Sequence, residues 1–154
     1  MILSTRGRYA VMAMAELAQA PAGQPMPLAA IAEAQDIPLN YLEQIFACLR
    51  REQLVKAVRG PGGGYLAAQP AEQISIADIM FASEEKLEMT RCKTKAGCRH
   101  DGGRCVTHDL WEGLTEHIRS YLESVTLADL VQGRPLPSTL TPGATALYQI
   151  REPS

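Results

Sequence analysis

Apolar positions recur at helical spacing in three successive stretches near the start of the chain. Between Ser4 and Gln19, residues Ala10, Ala13, Met14 and Leu17 fall on one face. Ser4 or Thr5 can cap this helix, and Pro21 and Gly23 break it. MPLAAIAEAQDI predicts a short second helix from about Pro27 or Leu28, followed by a tight turn at Asp36-Ile37-Pro38. LNYLEQIFACLRREQL predicts a third, with Leu42, Ile45, Phe46 and Leu49 one or two turns apart. Its other face carries Asn40, Tyr41, Glu43, Gln44 and Ala47 and ends in Arg50 and Arg51. The pattern then turns extended: LVKAV and GYLAA flank the turn RGPGGG and predict a hairpin. Two short helices joined by a tight turn make a helix-turn-helix, and a hairpin directly after them is the wing of a winged version.

Residues 72–83, EQISIADIMFAS, predict another short helix with Ile76, Ile79 and Met80 apolar. The longest helix is expected from about Cys105 to Val125, striped by Leu110, Leu114, Ile118, Tyr121 and Val125 and widened by Trp111 and Leu122. So long an apolar face on so small a domain asks for a partner. A second copy of the chain is the economical one, because a homodimer matches a two-fold DNA operator. TLADLVQG closes with a short helical turn, and the sequence beyond Gly133 is proline-interrupted and without period. The expected fold is therefore mainly α with a small β-hairpin, a winged helix-turn-helix plus a long dimerisation helix. Residues 1–83 form the DNA-binding domain, 84–108 a ligand-binding loop, 105–132 the dimerisation helices and 133–154 a mobile tail.

Composition refines this. The 154 residues are 46% hydrophobic and 21% charged, which suits one ordinary globular domain. Net charge is −2, so contact with nucleic acid would depend on placement rather than bulk charge. The N-terminal stretch, with two early arginines and an Ala-Gln-Ala, imitates a signal peptide. Glu16 interrupts its apolar run, and the apolar positions fit one helix face, which favours a folded helix and a cytoplasmic protein. The sequence has no apolar run long enough for a membrane span. A reducing cytoplasm also favours metal binding over disulfides for clustered cysteines.

Chemistry concentrates in two places. On the third helix, Asn40 and Gln44 can bond adenine in the major groove, and Glu43 can accept from a cytosine amino group. Tyr41 can reach a phosphate or a thymine methyl, while Arg50 and Arg51 suit phosphates. In the wing, Arg59 fits a minor groove or a phosphate, and Gly60 opens a turn able to approach DNA closely. A phosphate-binding P-loop is excluded for this glycine run. No Gly-Lys-Ser/Thr follows, and the run leads into a strand.

The second place is CKTKAGCRHDGGRCVTH, residues 92–108, which holds three of the four cysteines and two of the three histidines. Cys92, Cys98, Cys105 and His108 are spaced C-x5-C-x6-C-x2-H. Thiolate and imidazole ligate zinc or iron–sulfur clusters, so ligand type alone does not choose. The short knuckles of structural zinc sites are absent, and a loop this open can wrap something larger than one ion. Lys93, Lys95, Arg99 and Arg104 can offset thiolate charge. A redox enzyme or electron carrier would use the same cluster, but the sequence offers no second cofactor fingerprint and no nucleophile–base pair.

Several motifs together carry a family resemblance: GRYAV from Gly7, YLEQ from Tyr41, VRGPGGGYL from Val58, C-x2-H-x2-W from Cys105, and TL and LV between Thr126 and Val131. On them the chain resembles the winged-helix iron–sulfur cluster regulators of bacteria. The resemblance implies a homodimeric transcription regulator with a [2Fe-2S] cluster ligated by Cys92, Cys98, Cys105 and His108. It also implies that cluster occupancy reports iron–sulfur supply and selects promoters, the cluster-assembly genes among them. The Cys98–Cys105 interval is one residue longer than the family's usual pattern, and Pro38 stands where a small polar residue is more usual. Relatives that sense nitric oxide with a [4Fe-4S] cluster, or regulate cysteine metabolism without one, are the alternatives; the C-x2-H element favours the assembly regulator.

Overall fold

The computed structural model describes residues 4–83 and 103–137. Helix α1 spans Thr5–Ala18, and the Ser4 hydroxyl caps it by accepting from the Gly7 N–H. Ala10, Ala13, Met14 and Leu17 are all buried, so the alanine-rich stretch that imitates a signal peptide is a core helix. Helix α2 covers Leu28–Gln35 and ends at Asp36, which takes a left-handed conformation (φ 51°) and turns the chain into Pro38. The Gln35 side chain ties α2 back to Glu16 of α1 at 2.7 Å.

Helix α3 runs Leu39–Arg51 and buries Leu42, Ile45, Phe46, Cys48 and Leu49. It is shorter than the apolar pattern suggests. Gln53 takes a positive φ of 59°, and the Leu54 N–H bonds the Leu49 carbonyl, so residues 52–54 are a turn rather than a last helical turn. Strands β1 (Val55–Val58) and β2 (Gly64–Ala67) pair antiparallel, from Val55 opposite Ala67 to Val58 opposite Gly64. Met26 adds a third edge: it exchanges two backbone hydrogen bonds of 2.9 Å with Tyr65. The wing is therefore anchored on the segment before α2 as well as on α3.

Residues 72–83 form two pieces instead of one helix. A single 3-10 turn at Ala71–Gln73 precedes α4 at Ile76–Ala82, because Ser75 and Asp78 make a reciprocal capping box that starts the helix there. Helix α5 covers His108–Ser124 and α6 Leu127–Val131, the latter opened by a second capping box from Thr126 and Asp129. The long helix begins three residues later than its apolar pattern suggests, leaving Cys105 in the turn before it. Two backbone bonds, Ile76 N–H to Val125 O at 2.9 Å and Leu127 N–H to Ile74 O at 2.8 Å, join the start of α4 to the α5–α6 junction. Phe46, Met14, Ile31, Leu42 and Leu127 are among the fully buried side chains, so one core unites α1, α2, α3 and α6.

Candidate functional site

The apolar seam of α3 decides what its other side presents. With Leu42, Ile45, Phe46 and Leu49 inward, Asn40, Glu43, Gln44, Ala47 and Arg50 are exposed. The amide and carboxylate side chains thus share the solvent face expected of a groove-reading helix. Tyr41 differs: it is half-buried, and its ring meets Tyr9 edge-on with centroids 5.8 Å apart. That ring fastens α3 to α1. Arg51 is exposed and paired with Glu52 at 3.2 Å.

Arg59 and Gly60 sit exposed at the entry to the wing turn, where Gly60 has φ 96° and its carbonyl accepts from Gly63 at 2.9 Å. Between the end of α3 and the hairpin lies an open groove of about 620 Å³, lined among others by Arg50, Gln53, Lys56, Arg59 and Gln69. Three cations from three elements thus line one groove, a placement that fits a sugar–phosphate backbone. Lys56 was missed in the sequence, although a strand that buries Val55 turns the next side chain outward. Cys48 is 7% exposed and receives the Arg6 guanidinium at 3.2 Å, as a buried small side chain of the helix interior.

Of the four expected cluster ligands, Cys105 and His108 lie within the described residues; Cys92 and Cys98 lie outside them. The His108 N–H donates to the Cys105 carbonyl at 3.0 Å, closing a single turn that sets the two residues at the N-terminal end of α5. Cys105 is half-buried with its sulfur 3.6 Å from the Thr107 hydroxyl, and His108 is 8% exposed. A helix N-terminus favours thiolate charge, and thiolate and imidazole are donor types suited to iron or zinc. These residues therefore fit half of a Cys3His site. Around them, Arg104 pairs with Asp109 at 3.2 Å, and Glu112 stands 3.7 Å from His108.

Helix α5 buries only His108 of its own residues in the described chain. Leu110 and Leu114 are exposed, as are Val106 before the helix and Phe81 on α4. Arg119 of α5 stacks 5.3 Å over the Phe81 ring. Among the described residues no helix is long and apolar enough to cross a membrane.

A polar-faced helix beside a cation-lined hairpin, on a small helical core, defines a winged helix-turn-helix protein. The chain belongs to the Rrf2 family, whose model, described as an iron-dependent transcriptional regulator, matches residues 3–133. It is 51% identical over 132 residues to a helix-turn-helix-type transcriptional regulator of Neisseria meningitidis serogroup A, covering 86% of this chain and 88% of that protein. It is 48% identical over 134 residues to the transcriptional regulator IscR of Yersinia pestis, covering 87% and 81%. Among solved structures it is similar to T. potens IscR, with TM-score 0.71 and 33% identity over 94% of this chain and 96% of that one. It is also similar to CymR, the global cysteine regulator of B. subtilis, with TM-score 0.73 and 30% identity over 86% and 98%. The chain is thus a transcriptional regulator of this family, and the relatives it matches are named as regulators rather than enzymes.

Proposed function

We propose that this protein is a homodimeric, [2Fe-2S]-dependent transcription regulator that senses iron–sulfur status and controls cluster-assembly genes from a two-fold operator. The observation that carries the reading is the Cys105–His108 turn at the head of α5, in a chain nearly half identical to IscR. Cys92, Cys98, Cys105 and His108 would hold the cluster, which supplies a redox-active and chemically labile centre when bound. The divisions at 83, 108 and 132 follow this use, with α5 as the dimer seam: Leu110 and Leu114 would pack against their copies. On this reading the protein works in the cytoplasm, on double-stranded DNA.

DNA contact falls to Asn40, Glu43 and Gln44 for bases, with Tyr41 bonding from its hydroxyl, and to Arg50, Arg51, Arg59 and Gly60 for the backbone. Ligation would tie the segment ending at Cys105 to α5. From α5 the coupling runs through Arg119 on Phe81 and through the backbone bridge at Ile74–Leu127 into the core that seats α3. Glu43 is the point where a small shift changes base readout, because a carboxylate left unpaired against DNA is costly.

The similarity to CymR, a global cysteine regulator, supports a second reading, regulation of cysteine metabolism; on that reading the chain carries no cluster. Operator binding separates the two. Genomic fragments captured by the loaded protein, and by a Cys92→Ala, Cys98→Ala, Cys105→Ala variant, should differ at some promoters and agree at others. Identical capture by both at every promoter would remove the switch and leave the second reading.

A further inference from the structure

We propose that Glu112 is a positioning residue for the histidine ligand: it holds the Nε2 edge of His108, so that Nδ1 is the nitrogen presented to iron. The proposal rests on the cluster reading above and adds a residue and an atom to it. His108 is the first residue of α5 and Glu112 lies one helical turn on, so the two side chains share a face. Their facing atoms are His108 Nε2 and Glu112 Oε2, 3.7 Å apart, with the imidazole almost fully buried and the Glu112 side chain 66% exposed. At 3.7 Å the two atoms lie outside hydrogen-bond range, and a rotation of the exposed carboxylate would close the gap.

Asp109 is the other acidic group in reach, since one ligand atom each from His108, Asp109 and Glu112 lies within 4.8 Å of the others. Arg104 engages Asp109 at 3.2 Å, while Glu112 turns its Oε2 toward His108 Nε2. A neutral imidazole carries one N–H and one lone pair. When Nε2–H donates to the Glu112 carboxylate, the lone pair belongs to Nδ1, and that is the nitrogen able to bond a metal. The carboxylate also fixes the ring plane, as acceptors behind metal-bound histidines do. The chain's own turn supports the geometry, because the His108 N–H to Cys105 O bond sets the ring's Cα relative to the neighbouring thiol ligand.

The test uses the full-length protein carrying a reduced, paramagnetic cluster, made with histidine labelled with nitrogen-15 at Nδ1 alone or at Nε2 alone. Pulsed electron paramagnetic resonance should show strong coupling from the Nδ1 label and weak coupling from the Nε2 label. In parallel, cluster loss to a chelator should be about 10- to 100-fold faster in Glu112→Ala than in wild type, with Glu112→Gln in between because its amide oxygen still accepts. Cluster-free variants should unfold at the wild-type temperature, which separates positioning from folding. Strong coupling from the Nε2 label, or equal rates of cluster loss in wild type and Glu112→Ala, would overturn the assignment while leaving the cluster intact. Absence of nitrogen coupling from either label, in a protein that does hold a cluster, would instead remove His108 as a ligand and take the proposal with it.

Discussion

Replacing Gly64 by alanine would set a Cβ 2.3 Å from the Met26 carbonyl oxygen and 2.7 Å from the Pro27 nitrogen. Both are backbone atoms and cannot swing aside. Restoring ordinary contact requires the Met26 backbone to move away by about 1 Å. The two bonds between Met26 and Tyr65, each 2.9 Å, would then stretch past hydrogen-bond range. Losing both costs about 2 kcal/mol, and an alanine held at φ 153° adds about 1–3 kcal/mol. The expected destabilisation is about 4 kcal/mol, a large share of the roughly 5–15 kcal/mol that holds a small domain folded. Gly60→Ala is the matched control, because nothing lies within 4 Å of its added Cβ. Only the conformational cost at φ 96° remains there, about 1–2 kcal/mol. Urea unfolding should place the Gly64→Ala midpoint about 2 M below wild type and the Gly60→Ala midpoint less than 1 M below. Amide exchange at Met26 and Tyr65 should accelerate in the first variant alone. Equal midpoints for the two variants, with unchanged exchange at both amides, would refute the anchoring of the wing on Met26.

Other consequences follow from the same geometry. Arg59→Ala and Lys56→Ala should each lower operator affinity across all sequences and reduce the salt-dependence slope by about 0.9 per lost phosphate contact, read from binding isotherms at several salt concentrations. Phe46 is fully buried edge-on to Tyr65 at 4.8 Å, so Phe46→Ala should cost about 3–5 kcal/mol in chemical denaturation. Hydrogen bonds from the Thr126 side chain and backbone, helped by Arg134, hold the Asp129 carboxyl below its usual range. Its stabilising contribution is therefore complete above the ordinary carboxylate range and is lost as pH falls through the lowered folded value. The stability gap between wild type and Asp129→Asn should narrow across that acidic window and stay flat from there to neutrality.

The helices of the DNA-binding half were legible because each buries one periodic face. Ala10, Ala13, Met14 and Leu17 in α1, and Leu42, Ile45, Phe46 and Leu49 in α3, are the residues that the core covers. The end of α3 was not, because the left-handed residue that closes it is Gln53 rather than glycine, and polarity alone did not mark it. Met26 escaped notice for a different reason. A single bridging residue has no period, and its partner Tyr65 lies 39 positions away. The apolar stripe of α5 put its start near Cys105, whereas the turn closed by Cys105 and His108 delays the helix to His108. Within the site, Gln44 and Glu43 stand exposed as the spacing implied, but the Tyr9–Tyr41 contact depends on two helices meeting and left no trace in either one's pattern.

The central claim is that the Cys92–His108 segment holds a [2Fe-2S] cluster. Its most direct test is the visible spectrum of anaerobically purified protein, with iron and acid-labile sulfide counted on the same sample. The account predicts a reddish, multi-banded spectrum and about two irons and two sulfides per chain. A broad brown band with about four irons would contradict it in favour of a [4Fe-4S] sensor, and a colourless protein retaining zinc would make the loop structural.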